Sequence, residues 1–275
     1  LLELTGPRVR AGLRWRHQQL ELDTGVIARA HAAFAAALTG GRHLTRPELG
    51  EILRAAGIEA DGPRLAHLIL LAELDRLIVS GRRKGKAFTY ALFEERAPST
   101  LTMERTEALV ELALRYFRSH GPAQLQDFVW WSGLTTGDAH AGIALAGDAL
   151  ERRVAGGAEY WLDAPDEALP KASSVAHLLP NFDEYTVAYR DRSALIDPSR
   201  PFDPAFFALG GVISNVLTVG GRVEGRWRRT TARGRVCLEV DLLPTAKTVR
   251  EALIAKAGRR MERFLESPME VALRH

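Results

Sequence analysis

A single cysteine, Cys237, stands in 275 residues, so no disulfide can form within the chain and a reducing compartment suits it. Long apolar runs are missing too. No stretch reaches the roughly 20 apolar residues that a membrane helix needs. The opening Leu1-Leu2-Glu3-Leu4-Thr5 lacks the cationic lead of a secretory signal. None of the eight histidines forms an H-x-x-x-H or H-E-x-x-H pair, and one cysteine cannot build a structural zinc site. Gly156-Gly157 and Gly220-Gly221 have neither the Lys-Ser/Thr of a P-loop nor the spacing of a dinucleotide fingerprint, so they read as turns. No metal and no cofactor are expected, and the chain is expected to be a cytoplasmic monomer with no membrane contact.

What is present is a repeat with an offset of 76 residues. Ile27, Phe34 and Leu38 recur as Met103, Val110 and Leu114; Leu49, Ile52 and Gly57 recur as Leu125, Phe128 and Gly133; Leu74, Asp75 and Arg76 recur as Leu150, Glu151 and Arg152. Each copy reads as three short helices and a two-stranded hairpin, the order of a winged helix. In the first copy the helices begin near Thr24, after the capping box Thr45-Arg46-Pro47-Glu48, and after Asp61, with strands over Leu77 to Val79 and Ala87 to Leu92. In the second they run from about Thr102 to His120, from Pro122, and from a cap at Thr135 or Thr136. Trp130 and Trp131 are neighbours on one helix, so both cannot face one core across a 100° step.

The hairpin tips differ. The first is Gly81-Arg82-Arg83-Lys84-Gly85-Lys86, a tip whose cations could neutralise phosphates and release counterions; the second, Gly156-Gly157-Ala158-Glu159, has no cation. A net charge of +3 permits a nucleic-acid partner without demanding one. The third helices, Arg64 to Glu73 and Asp138 to Ala144, are poor in the long polar side chains that read base edges. Backbone and shape recognition is expected instead of operator reading.

Beyond about Pro165 strands are expected over Val175 to Leu179, Tyr185 to Tyr189, Val212 to Val219, Arg222 to Arg229 and Arg235 to Leu242, with turns at Gly220-Gly221 and Ala232-Arg233-Gly234. Alternation puts Arg222, Glu224, Arg226 and Arg228 on one face and Val223, Gly225, Trp227 and Arg229 on the other. A last helix, Thr245 to about Leu265, is expected to bury Val249, Leu253, Ala257, Met261 and Phe264 and to expose Lys247, Arg250, Lys256, Arg260 and Arg263. Asp183, Glu184 and Asp191 are expected to pair with Arg190 and Arg192. The expected fold is α+β: tandem winged-helix modules at 1–97 and 98–165, then 166–275 as a small antiparallel β-sheet or barrel with a C-terminal helix. Phosphate contacts are expected from Arg82, Arg83, Lys84 and Lys86, and from Arg226, Arg228 and Arg233 on the sheet.

His177-Leu178-Leu179-Pro180-Asn181-Phe182-Asp183-Glu184-Tyr185, running on to Tyr189-Arg190-Asp191-Arg192, and Val223-Glu224-Gly225-Arg226-Trp227-Arg228-Arg229 resemble the winged-helix DNA glycosylase family of the AlkZ type. Leu44-Thr45-Arg46-Pro47-Glu48-Leu49, and Gly121-Pro122 with Trp130-Trp131-Ser132-Gly133-Leu134, are similar to that family as well, so the likeness covers essentially the whole chain. It implies tandem winged helices closed by a small β-barrel, double-stranded DNA as partner, and excision of alkylated purines in base excision repair, including unhooking of crosslinks. It also implies a Gln-x-Gln or Gln-x-Asp pair holding the hydrolytic water, in a further winged-helix domain N-terminal to Leu1. Leu1 is not an initiator methionine, so the chain reads either as a fragment or as a shortened relative without that motif. Gln124-Leu125-Gln126 mimics the motif, but on a helix residues two apart point about 200° apart, so the match is taken as fortuitous. No catalytic residue is assigned. The expectation is DNA gripping without the catalytic motif; the alternatives are a noncatalytic winged-helix regulator and a protein-binding scaffold.

Overall fold

The computed structural model describes residues 1–98, 103–163, 175–196, 208–209, 212–213, 215–232, 235–243, 246 and 251–274. The chain divides into two units, Leu1–Leu112 and Ala113–His275.

The first unit opens with two helices that the sequence pattern does not announce, α1 (Leu2–Gly12) and α2 (Arg14–Gln19). Pro7 lies inside α1, and only Leu4 and Gly6 are buried there, so no clear apolar stripe marks it. Then come α3 (Thr24–Leu38), β1 (Leu44–Thr45), α4 (Arg46–Ala55), α5 (Gly62–Leu74), β2 (Ile78–Ser80), β3 (Thr89–Leu92) and α6 (Phe93–Arg96). Asp23 caps α3 by accepting from the Val26 N–H at 2.7 Å, and the expected capping box at Thr45 and Glu48 starts α4. Asp61 holds the N-cap position of α5, but its side chain makes no capping bond. Phe34, Leu38, Leu49, Leu53, Leu68 and Leu71 form a core sealed from solvent, and β1 and β2 flank β3 in a three-stranded sheet.

The helix α7 (Arg105–His120) crosses the division between units. The second unit continues with α8 (Leu125–Ser132), α9 (Thr136–Ala146), β4 (Glu151–Ala155) and β5 (Ala158–Leu162). The repeat is thus legible as element order: α3, α4, α5 and a hairpin, then α7, α8, α9 and a hairpin. Where β1 pairs Leu44 with Tyr90, the second copy makes a single bridge from Ala123 to Trp161. Thr135 caps α9, accepting from the Asp138 N–H at 3.1 Å.

Next come β6 (Ala176–Leu179), α10 (Glu184–Val187), β7 (Ala208–Leu209), β8 (Val212–Ile213), β9 (Val216–Val219), β10 (Arg222–Ala232), β11 (Arg235–Leu242), α11 (Glu251–Leu265) and β12 (Met269–Arg274). The strand expected over Tyr185 to Tyr189 is instead the short helix α10, because Asp183 caps it by accepting from the Tyr185 N–H at 3.0 Å. The single strand expected from Val212 to Val219 is two, β8 pairing with β7 and β9 with β10 and β6. Five strands run β12-β11-β10-β9-β6, and β12 lies parallel to β11, so the sheet is mixed where an antiparallel one was expected. The helix α11 supplies the long connection that a parallel pair requires. It buries Ile254, Ala257 and Gly258, while Phe264, expected inside, is 84% exposed. Phe264 is ten residues beyond Ile254, which turns it roughly 80° off that stripe. Arg260, expected to be exposed, is partly buried and donates to the Ala176 carbonyl. Thr245, Lys247, Val249 and Arg250 lie outside the described residues, as does the turn at Arg233-Gly234.

Candidate nucleic-acid interface

The basic hairpin is built on a pinned base. Its Gly81 N–H donates to the Thr89 carbonyl at 2.8 Å, the Arg82 N–H donates to His43 Nδ1 at 2.8 Å, and the Thr89 hydroxyl donates to the Arg82 carbonyl. A side chain at Gly81 would bring its Cβ to 2.4 Å from His43 Nδ1 and 2.6 Å from the Thr89 hydroxyl, so only glycine fits. The backbone of Lys84 pairs with Ala87 across the tip. Beyond this base Arg82, Arg83, Lys84 and Lys86 are all exposed.

The four cations are not equivalent. Lys84 Nζ lies 2.7 Å from Glu48 Oε1, the carboxylate that closes the capping box of α4. The Lys84 ammonium, then the Thr45 N–H and hydroxyl, hold the Glu48 carboxyl down at about 2, so it stays charged at neutral pH. The Arg83 guanidinium rests 4.2 Å from the centre of the Phe88 ring. Among the described residues, Arg82, Arg83 and Lys86 have no carboxylate partner. The restraint on Lys84 spans 36 residues of sequence, and no local pattern announces it. At the second tip Gly156 and Gly157 both take positive φ, 58° and 78°, as a two-residue turn demands. The arginines beside it are paired within the hairpin, Arg152 to Glu159 and Arg153 to Glu151.

The segment from Pro180 to Arg192 is clamped onto the aromatic core of the second unit. Tyr116, fully buried, stacks on His120 with ring centres 4.7 Å apart and contacts Phe128 and Trp131. Its hydroxyl donates to the Ala188 carbonyl at 3.3 Å, and the Tyr189 hydroxyl donates to the His120 carbonyl at 2.8 Å. Burial, then the nearby Asp127, raises the pKa of both phenols and keeps them neutral donors. The two tryptophans part as the helical step requires: Trp131 packs among these rings and donates to Glu184, while Trp130 is 54% exposed and donates to the Val187 carbonyl at 2.9 Å. Asp127 is 4% exposed, and its carboxylate accepts from the backbone N–H groups of Gln124, Arg190 and Asp191 at 3.0, 2.9 and 3.2 Å.

The ion pairs expected of this segment's carboxylates with Arg190 and Arg192 do not form among the described residues. Nearer donors take them: Asp183 caps α10, Glu184 sits 3.1 Å from His120 Nε2, and Asp191 accepts from the Ser193 N–H at 2.9 Å. Arg190 donates to Gln126 Oε1 at 3.2 Å, and Arg192 lies 5.7 Å from the Trp130 ring centre. The helical-step reason for dismissing Gln124-Leu125-Gln126 does not hold here. Gln124 is the N-cap of α8, with extended backbone, and both glutamines line one depression with Asp127, Arg190 and Asp191.

On the sheet, a register shift between Val223 and Gly225 breaks the expected alternation, and Val223 and Glu224 are both buried. Beyond it the faces separate as expected. Arg226 faces Asp241 across β11 and donates to it at 3.1 Å; Arg228 faces Glu239 and donates at 2.6 Å, and Arg274 reaches the same Glu239 at 3.0 Å. The arginine row is therefore exposed but matched by a row of carboxylates. Arg233 lies outside the described residues.

No curated protein matches this sequence. Among solved structures the chain resembles the Streptomyces sahachiroi DNA glycosylase AlkZ, with a TM-score of 0.69 at 20% identity, over 94% of this chain and 72% of that one. At that identity the likeness speaks to the fold, a mixed arrangement of helices and sheet. A family model described as DNA glycosylase AlkZ-like matches residues 1–264, nearly the full length, taking in both helical repeats, the clamped segment and most of the sheet. The chain belongs to the AlkZ-like DNA glycosylase family.

Proposed function

We propose that this chain grips duplex DNA for the excision of alkylated or crosslinked purines, with winged-helix modules at 1–97 and 98–165 and a sheet domain at 166–275. The observation that carries the reading is the first hairpin: Arg82, Arg83 and Lys86 stand exposed on a pinned backbone with no carboxylate partner among the described residues. Such a tip fits a phosphate backbone. The order helix, short strand or bridge, helix, helix, hairpin supports a winged helix in each copy. The helix α5 buries Leu65, Leu68, Ile69, Leu71 and Ala72, which favours backbone contact over base reading. Family membership supplies the reaction class: an N-alkylated purine is a cationic leaving group, and water directed at the anomeric carbon cleaves its glycosidic bond. Such hydrolysis suits a cytoplasmic monomer that meets chromosomal DNA.

Fluorescence anisotropy with duplexes of different sequence tests the grip. Replacing Arg82, Arg83 and Lys86 together by alanine is expected to weaken binding to all of them alike and to flatten its salt dependence. Unchanged affinity and slope would reduce the hairpin to a solubility device. The same chain is expected to release little N7-methylguanine from alkylated DNA, since Gln126 is engaged by Arg190. Release that disappears in Gln124→Ala and Gln126→Ala would put the reactive water in the depression those two glutamines line.

A further inference from the structure

A cavity of 630 Å³ opens in the second unit between the sheet and α11, a size suited to a small organic ligand. Its apolar lining includes Trp227, Met261 and the exposed ring of Phe264; its polar lining includes Asn181, Arg229 and Arg260, and among the described residues no acidic side chain lines it. The charge follows from the strand faces. Arg226 and Arg228 meet the carboxylates of Asp241 and Glu239, whereas Trp227 and Arg229, on the other face of β10, stand opposite Val240 and Leu238. Arg229 is exposed and has no ion pair among the described residues.

The aromatic wall is fixed. Trp227 Nε1 donates to the Leu179 carbonyl at 2.9 Å, and Asn215 joins the two sides, accepting from the Asn181 N–H at 2.7 Å and donating to the Trp227 carbonyl at 3.3 Å. The Asn181 carboxamide makes no hydrogen bond among the described residues, leaving a donor and an acceptor that can pair with a base edge. Arg260 is held by the Ala176 carbonyl. Aromatic surface, a free amide and unopposed positive charge together describe the complement of a nucleotide: a flat base to stack, an edge to pair and a phosphate to neutralise.

We propose that this cavity binds one unpaired nucleotide, a base turned out of a DNA strand, with the base against Trp227 and Phe264, its edge on Asn181 and its phosphate on Arg229. This rests on the DNA reading above and adds a second, base-contacting site to the backbone grip of the hairpin. The test compares the full chain's affinity for a blunt duplex and for the same duplex with one bulged deoxyadenosine, and separately for a single-stranded adenosine oligonucleotide. The expected preference for the bulged duplex is about tenfold, the scale of one base–aromatic stack. The ratio should fall to about one in Phe264→Ala, where an exposed ring is trimmed, and to decrease in Arg229→Gln. No preference, or a preference that survives both variants, overturns the assignment. Should the blunt duplex not bind, the hairpin reading fails; single-strand binding that is lost in Phe264→Ala would still support the cavity, and single-strand binding untouched by it would overturn both.

Discussion

Replacing Glu48 by glutamine removes the carboxylate 2.7 Å from Lys84 and sets a fourth cation free at the hairpin tip. Glutamine can still close the capping box, so α4 should keep its start. Each phosphate contact contributes about 0.9 to the slope of log affinity against log salt, so Arg82, Arg83 and Lys86 give about 2.7 and a freed Lys84 raises it to about 3.6. Between about 50 and about 200 mM salt, wild type should then lose roughly 40-fold in affinity and Glu48→Gln roughly 150-fold. Anisotropy titrations across that range read the slope directly. Lys84→Ala, by the same reasoning, should flatten the slope far less than Arg82→Ala. Acid should not imitate the variant in the neutral range: the Glu48 carboxyl is lowered from 4.5 to about 2, so its bond to Lys84 is complete above the ordinary carboxyl value and is lost only as pH falls toward 2. Equal slopes for Glu48→Gln and wild type, or equal losses from Lys84→Ala and Arg82→Ala, would refute the claim that Glu48 holds Lys84 out of the contact.

Asp127→Ala strands three backbone N–H groups around the start of α8 and the Arg190-Asp191 turn, and should cost about 3 kcal/mol or more in urea unfolding, with Asp127→Asn intermediate. A loss within experimental error would mean that water replaces the carboxylate. Replacing Arg226 and Arg228 by glutamine should change duplex affinity less than threefold, on the order of a partly neutralised contact, because Asp241 and Glu239 already oppose them; a tenfold loss in a binding titration would return the row to the interface. In the first unit burial lowers the pKa of His17, His31 and His67, and each keeps one buried ring nitrogen without a hydrogen-bond partner among the described residues. The unfolded chain then takes up more protons than the folded one below 6.5, so stability is complete above that value and falls as the pH drops. Thermal unfolding should show a lower midpoint at about pH 5 than at about pH 7.5, with a smaller difference in His17→Phe. A flat profile would count against the buried neutral histidines.

What the sequence determined by itself is whatever rests on contacts between near neighbours. The capping box at Thr45, the stop of α3 before Gly40 and Gly41, the Gly156-Gly157 and Gly220-Gly221 turns and the span of β11 all follow from side chains within a few residues of one another. The parting of Trp130 and Trp131 follows likewise from the helical step. Tertiary structure decided what depends on distant partners. It tied Lys84 to Glu48, matched Arg226 and Arg228 with Asp241 and Glu239, and gave the carboxylates of the clamped segment to His120, Trp131 and backbone N–H groups instead of Arg190 and Arg192. It also turned Tyr185 to Val187 into helix, shifted the register at Val223 and left Phe264 outside. Charge along a sequence shows where cations stand, but which of them remain available to a phosphate depends on the carboxylates that folding brings alongside, and no local period encodes that.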